Sequence, residues 1–255
     1  MIGYVPPTLP FFAPLLGLAG AIIGSFLATI TVRWPEGRSV LRGRSTCDGC
    51  GRGLRAWQLV PLVSWIASRG RCTACGARID PRHPLIEGGC LVIGVISGVA
   101  APGRVAVAGA VFGWLLLTLA VLDARDFWLP DPLVAALALT GAAGAAFARP
   151  ALLDRIAGGL GGFLALWLIA AAYRRVRGRD GLGGGDPKLL GAIGLWLGWR
   201  LLPATLVIAG LAGIGWIVVR RLRGGAVAAD DMLPLGTLLA IAAYPAWLAM
   251  IINGV

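Results

Sequence analysis

Histidine is almost missing from this chain: His83 is the only one among 255 residues. A hydrolase built on a serine–histidine pair is thereby poorly supplied, and so is a metal centre built on several imidazoles. His83 stands beside Pro84 at the end of a polar stretch, where a surface or hydrogen-bonding role is expected. Charge is also scarce, at 14% of residues against 58% hydrophobic, and acidic residues number 12 against 23 basic ones. A soluble domain of this length does not have such a composition. Convincing internal repeats, low-complexity linkers and disorder-prone runs are absent as well, which excludes a solenoid or a long flexible tail.

What is present is apolar sequence in long runs, with a mean hydropathy of +0.82 and 39 glycines. This predicts an all-α polytopic membrane protein, with glycines allowing close helix–helix approach in lipid. About eight transmembrane helices are expected, near 11–32, 85–101, 105–122, 132–148, 155–173, 187–199, 201–219 and 233–252. The first run has no basic leader segment or obvious small-residue cleavage site, so it reads as a retained span. The sixth is short and follows glycine-rich backbone, a pattern that suits the lining of a cavity. The only polar segment long enough to be a domain is 33–84. The expected division is therefore a first helix (1–32), a small cytoplasmic domain (33–84) and a seven-helix membrane core (85–255).

The excess of basic residues segregates by loop. Nineteen of the 23, including Arg33, Arg42, Arg82, Arg125, Arg174, Lys188 and Arg221, fall on one side of the expected topology. Arg104, Arg149, Arg155 and Arg200 fall on the other. Cytoplasmic loops are the basic ones, so the 33–84 domain faces the cytoplasm and both termini lie outside. The net charge of +11 then reflects topology and attraction to anionic lipid rather than nucleic-acid binding.

Within 33–84 stand two C-x-x-C-G repeats, Cys47-Asp-Gly-Cys50-Gly51 and Cys72-Thr-Ala-Cys75-Gly76. Paired knuckles of this form suit a tetrahedral zinc site in which four thiolates leave no open position, so the metal would be structural. One or two disulfides, or a redox C-x-x-C, are the alternatives. A reducing cytoplasmic compartment counts against the first and the duplication against the second. About fifty residues bury little core, and a metal staple compensates. Cys90, in the second span, reads as a small packing residue.

Aspartates occur where hydropathy places them at or near membrane depth. Asp123 continues the apolar run 111–122, and Asp186 closes Gly183-Gly184-Gly185-Asp186 just before another. A carboxylate at such depth is costly and marks a functional site by default. Two carboxylates that meet share one proton near neutral pH, so the ionised member can activate water while the other polarises a carbonyl. The plainer reading of Asp186-Pro187 is a helix N-cap followed by proline, and Asp131-Pro132 repeats that pattern. Three glycines offer backbone conformations closed to other residues. Asp126 reads as interfacial, and Glu87 follows entry to the second span.

Taken together these residues resemble the type IV prepilin peptidases, bifunctional leader peptidases and N-methyltransferases of bacterial inner membranes. The resemblance is carried by Gly24-Ser-Phe-Leu, the paired C-x-x-C-G clusters, Pro61-Leu-Val-Ser-Trp65 and Arg69-Gly-Arg-Cys72. It continues through Pro84-Leu-Ile-Glu87, the stretch from Asp123 to Pro130-Asp131, and Gly183-Gly-Gly-Asp186-Pro-Lys188. It implies that Asp123 and Asp186 are the catalytic pair of a G-x-G-D aspartyl protease, supported by Gly183, Gly184, Gly185, Lys188, Pro130 and Asp131. It implies prepilin or pseudopilin precursors as substrates, cut at the cytoplasmic face, and methylation of the new N-terminus from S-adenosylmethionine. Glu87 and Asp126 are the candidates to meet the basic leader. Ala28, His83 and Pro187 depart from the family's usual residues. Competing readings are a non-catalytic zinc-containing scaffold of a pilus or secretion system, which loss of these motifs would have favoured, and an ion-coupled transporter. The latter needs polar residues within several spans, and these runs are nearly free of charge.

Overall fold

The computed structural model describes residues 11–40, 44–224 and 232–254. Arg42, counted above among the basic loop residues, lies outside them, as do residues 1–10 of the expected first segment. The described residues include eight α-helices: α1 (Phe12–Arg33), α2 (Val63–Ala67), α3 (Arg82–Ala100), α4 (Gly103–Asp126), α5 (Asp131–Ala143), α6 (Leu152–Arg177), α7 (Asp186–Leu222) and α8 (Leu235–Asn253). The only β-pairing among them is two isolated bridges. Six helices are long and apolar enough to cross a membrane, and Asp131–Ala146 is a shorter apolar helix. α7 runs 37 residues but breaks at Gly198, whose φ of 69° and ψ of 174° are not helical. Its two parts correspond to the sixth and seventh expected spans. The chain divides into two compact units, 1–118 and 119–255, with the boundary inside α4.

In the first unit α1 and α3 pack antiparallel through backbone contact. A Cβ on Gly20 would lie 2.2 Å from the Cys90 carbonyl oxygen, and one on Gly94 would lie 2.4 Å from that of Leu16. Helices in lipid gain little from hydrophobic transfer and associate through such close packing. Cys90 is fully buried, and its carbonyl accepts from Trp114 Nε1 of α4 at 2.8 Å. Arg82 forks onto Asp80 and donates to the Thr31 carbonyl at 2.7 Å, fastening the start of α3 to the end of α1. The Arg82 guanidinium holds the Asp80 carboxyl below its ordinary pKa.

In the second unit α6 and α7 touch in the same way. A Cβ on Gly194 would lie 2.2 Å from the Gly158 carbonyl oxygen, and one on Gly158 would lie 2.6 Å from that of Gly194. The first part of α7 is the most enclosed, with Leu189, Leu190 and Ile193 fully buried. Trp196 donates to the Leu137 carbonyl at 2.8 Å, joining α7 to α5.

Arg155, counted above among the four basic residues on the outer side, is only 2% exposed in the first turn of α6. All five of its N–H donors are used. Nε meets the carbonyl of Pro150, Nη1 those of Gly141 and Leu195, and Nη2 those of Ala148 and Arg149, at 2.7–3.0 Å. Arginine's fixed fork suits this task, because the last turn of α5, the loop that follows it and the end of the first part of α7 all present carbonyls that need donors where water is scarce. Arg155→Met should therefore leave several carbonyls unsatisfied and cost at least about 3 kcal/mol, with Arg155→Lys intermediate. Thermal unfolding in detergent checks this, and an unchanged midpoint for the methionine variant would contradict it.

Candidate active site and metal centre

Asp123 lies three residues before the end of α4, 5% exposed. Its Oδ2 accepts the backbone N–H of Thr237 at 2.7 Å and faces the Thr237 hydroxyl at 3.1 Å. That hydroxyl also meets the Ala120 carbonyl at 2.9 Å, so its one proton is shared between two acceptors. Thr237 belongs to the first turn of α8, whose N–H groups have no partners within the helix. The Asp123 carboxylate supplies one, and a negative group is favoured at that end of a helix.

Asp186 is 6% exposed. It is the first residue of α7, and Gly185 occupies the cap position. The expected N-cap role is therefore not what the side chain performs. Its Oδ2 turns back to accept the N–H of Gly183 at 3.0 Å, while its own N–H reaches the Gly183 carbonyl at 3.2 Å. Asp123 and Asp186 are near enough for the charge of one to act on the other.

The three glycines do not use their conformational freedom, for none has a positive φ. Space explains two of them. A Cβ on Gly185 would lie 2.8 Å from Leu129 Cβ, and one on Gly183 would lie 3.1 Å from Asp186 Oδ2, whereas one on Gly184 would meet nothing. Leu129 also fits beneath Gly236, where an added Cβ would lie 3.0 Å both from Leu129 Cδ1 and from the Asp123 carboxylate. This one side chain, nearly buried, is thus held by the segments leading into α7 and α8. Asp131 begins α5, with Pro130 before it. Its side chain does not cap; Oδ1 accepts from Lys188 Nζ at 2.7 Å, an exposed pair that links the starts of α5 and α7. Asp126 is exposed at the end of α4.

Thr237, Gly236 and Leu129 were not singled out in the sequence. A signal for the first two exists: Pro234-Leu-Gly-Thr opening the last apolar run is a helix start, which presents N–H groups. Nothing in the sequence alone pairs that start with Asp123.

In the first unit the two knuckles have the same construction. Cys47 N–H reaches the Arg52 carbonyl and Gly51 N–H the Cys47 carbonyl; Cys72 and Gly76 repeat this with Ala77. Gly51 and Gly76 take φ of 69° and 74°, left-handed turns that glycine makes without strain. The four sulfurs of Cys47, Cys50, Cys72 and Cys75 lie within 4.8 Å of one another, and Cys47 Sγ is 3.9 Å from Cys75 Sγ. Four thiolates about 2.3 Å from one ion would be about 3.8 Å apart, so the set could hold a metal. All four cysteines are free. Cys72 is drawn down to about 6 by the N–H groups of Cys75 and Ala74 and by Cys47. For Cys75 the Ala77 N–H acts downward, but burial and the neighbouring sulfurs outweigh it and push the thiol up to about 11. Crowded thiols give up their first proton readily and the next reluctantly; a bound cation would remove that resistance. Glu87 of α3 is 6% exposed, and its Oε2 accepts the Leu62 N–H at 2.8 Å. His83 is half-buried and lines a cavity beside the knuckles.

A multi-helical membrane protein with two neighbouring buried aspartates and a four-cysteine domain is a distinctive combination. Residues 18–101 match the bacterial peptidase A24 N-terminal domain, and residues 110–218 match the type IV leader peptidase family. A prepilin leader peptidase/N-methyltransferase of Pseudomonas putida is 32% identical, over 94% of this chain and 91% of its own length. The protein of that name from Pseudomonas aeruginosa is 34% identical, over 92% and 88%. One from Stutzerimonas stutzeri is 37% identical, over 80% and 71%. No solved structure matches significantly. The chain belongs to the type IV leader peptidase family.

Thr237→Val keeps the backbone N–H and side-chain shape but removes the hydroxyl facing Asp123. Cleavage of a prepilin by this variant should fall about tenfold, the size of one hydrogen bond to a charged group. Thr237→Ser should stay near wild type. The check is initial rate with purified enzymes, and equal rates for valine and wild type would contradict it.

Proposed function

We propose that this multi-pass inner-membrane protein cleaves the short basic leader from type IV prepilin or pseudopilin precursors through Asp123 and Asp186, and then methylates the new N-terminus. The observation that carries the reading is the pair of neighbouring buried carboxylates, each held by backbone N–H, in a chain of the leader peptidase family. Two such groups share one proton. The ionised member takes a proton from water as it attacks the scissile carbonyl, the protonated member donates to the carbonyl oxygen, and the leaving amine is protonated in turn. Gly183 and Gly185 make room for the Asp186 carboxylate and for Leu129, and the open side of Gly184 leaves room for the peptide backbone, while Pro130, Asp131 and Lys188 set the starts of α5 and α7. Asp126, exposed beside Asp123, is the acidic group nearest in sequence to meet a basic leader. Glu87 was the other candidate; its carboxylate is tied to Leu62.

The domain division is 1–32, 33–84 and 85–255. The basic loops face the cytoplasm and both termini lie outside, as the distribution of arginine favours. Zinc is the metal for Cys47, Cys50, Cys72 and Cys75, because an all-thiolate tetrahedron suits it and leaves no catalytic position. S-adenosylmethionine supplies the methyl group. The relatives named prepilin leader peptidase/N-methyltransferase support both activities.

Asp123→Asn and Asp186→Asn should each lower prepilin cleavage at least about a thousandfold while leaving the unfolding midpoint near wild type. Appreciable cleavage by either variant would sink the mechanism. Elemental analysis should find about one zinc per chain in wild type and little in Cys72→Ser. Mass spectrometry of mature pilin should show cleavage and one methyl group with wild type, and cleavage without the methyl group with Cys72→Ser.

A further inference from the structure

The second unit holds a cavity of about 470 Å³ at the end of the first part of α7 away from Asp186. α6 starts beside it and α7 breaks at it, at Gly198. Met250 in the last turn of α8 and Ala145 just past α5 also line it. Three charged side chains share this space, Arg149, Arg200 and Asp154, with Phe147, Leu201 and Met250 among its apolar walls. Peptide cleavage at the opposite end of the helix makes no use of these charges. We infer that the cavity binds the headgroup of a phospholipid, phosphatidylethanolamine, with the phosphate against the two arginines and the ammonium against Asp154.

Helix length is the reason a headgroup belongs at this depth. The Lys188–Asp131 pair brings the starts of α5 and α7 to one level. From there the 13 residues of α5 rise about 20 Å, and the first part of α7 about 18 Å. A hydrocarbon core is about 30 Å thick, so the charges at the far ends of these helices fall about 10 Å short of the opposite surface. A bilayer meets a short span by thinning, which brings headgroups down to its end. Charged side chains at such depth take partners. Arg155 is already saturated by five carbonyls, whereas Arg149 spends only Nη1 among the described residues, on the Gly254 carbonyl at 2.7 Å. That bond ties the guanidinium to the end of α8 and leaves four donors for acceptor oxygens. The Arg200 guanidinium carbon lies 5.7 Å from the centre of the Trp199 ring, and Trp199 Nε1 donates to Asp154 Oδ1 at 2.9 Å. One indole thus touches both a cation and the carboxylate, and Asp154 is bonded to it rather than to either arginine. Guanidinium forks match phosphate oxygens, and the carboxylate matches an ammonium. Trp199 is 52% exposed, as a tryptophan at headgroup level is expected to be.

The test uses the full chain in detergent, stripped of lipid. Native mass spectrometry with phosphatidylethanolamine should show one lipid retained per chain, held more tightly than phosphatidylglycerol and far more tightly than diacylglycerol, which lacks the phosphate. Arg200→Ala and Arg149→Gln should each raise Kd at least about tenfold, the effect of losing a hydrogen bond to a charged group. Asp154→Asn keeps the oxygen that accepts from Trp199 and should erase the preference over phosphatidylglycerol. A photoreactive phosphatidylethanolamine bound to wild type should label residues 145–154 or 197–201. Label confined to other segments, or unchanged affinity in both arginine variants, would overturn the inference. Equal retention of diacylglycerol would reduce the site to an apolar contact, and a wild-type preference for phosphatidylglycerol would remove the role of Asp154; either result overturns the assignment. Displacement of the lipid by an equal concentration of inorganic phosphate or glycerophosphoethanolamine would mark a site for a soluble phosphate compound and overturn the lipid assignment.

Discussion

A polar group enclosed by apolar helices must find its partner within the protein, and much of this structure follows from that requirement. Water is scarce there, and each unsatisfied donor or acceptor is costly. Asp123 meets it with the open N–H groups of α8, and Asp186 with the N–H of Gly183. Glu87 uses the Leu62 N–H, and Arg155 uses five carbonyls. Because each partner belongs to another helix or to the adjoining loop, the same bonds that make burial tolerable also fix where the chain goes. The second unit is in this sense arranged around its few polar side chains as much as around its apolar ones.

Glycine is the complement to that arrangement. Gly20 against Cys90, and Gly158 against Gly194, bring main chains into contact where lipid offers no other strong reason for helices to associate. Near the carboxylates, Gly185 and Gly236 make room for Leu129. These glycines are spatial requirements, while those of the two knuckles, Gly51 and Gly76, are conformational ones. A glycine count alone cannot tell the two kinds apart.

The helical class, the cysteine cluster and the two aspartates were legible in the sequence because each has a local signature. Apolar run length marks spans, and C-x-x-C-G repeats mark knuckles. A carboxylate at the edge of an apolar run is conspicuous. What was not legible depends on contacts between distant segments. Thr237 lies 114 positions from Asp123, and nothing near either residue announces the other. Arg155 read as a loop charge because hydropathy ranks arginine by its own polarity and ignores the carbonyls that would receive it. Asp131 looked like a cap from its proline neighbour, but Lys188 of another helix took its side chain. The break in α7 was anticipated as two separate spans, the first of them short. Its placement at Gly198 depends on Pro150 and Asp154, which a Cβ there would crowd.

The Arg155 clamp has a mechanical meaning. It holds the Leu195 carbonyl, three residues before the break at Gly198, while Asp186 stands at the opposite end of the same helical segment. That segment is about 18 Å long at 1.5 Å per residue. One end is thus fastened by an arginine of α6 beside a non-helical joint. At that length a tilt of about ten degrees would displace the Asp186 end by about 3 Å, roughly the length of a hydrogen bond, so the position of the carboxylate depends on how firmly the far end is held.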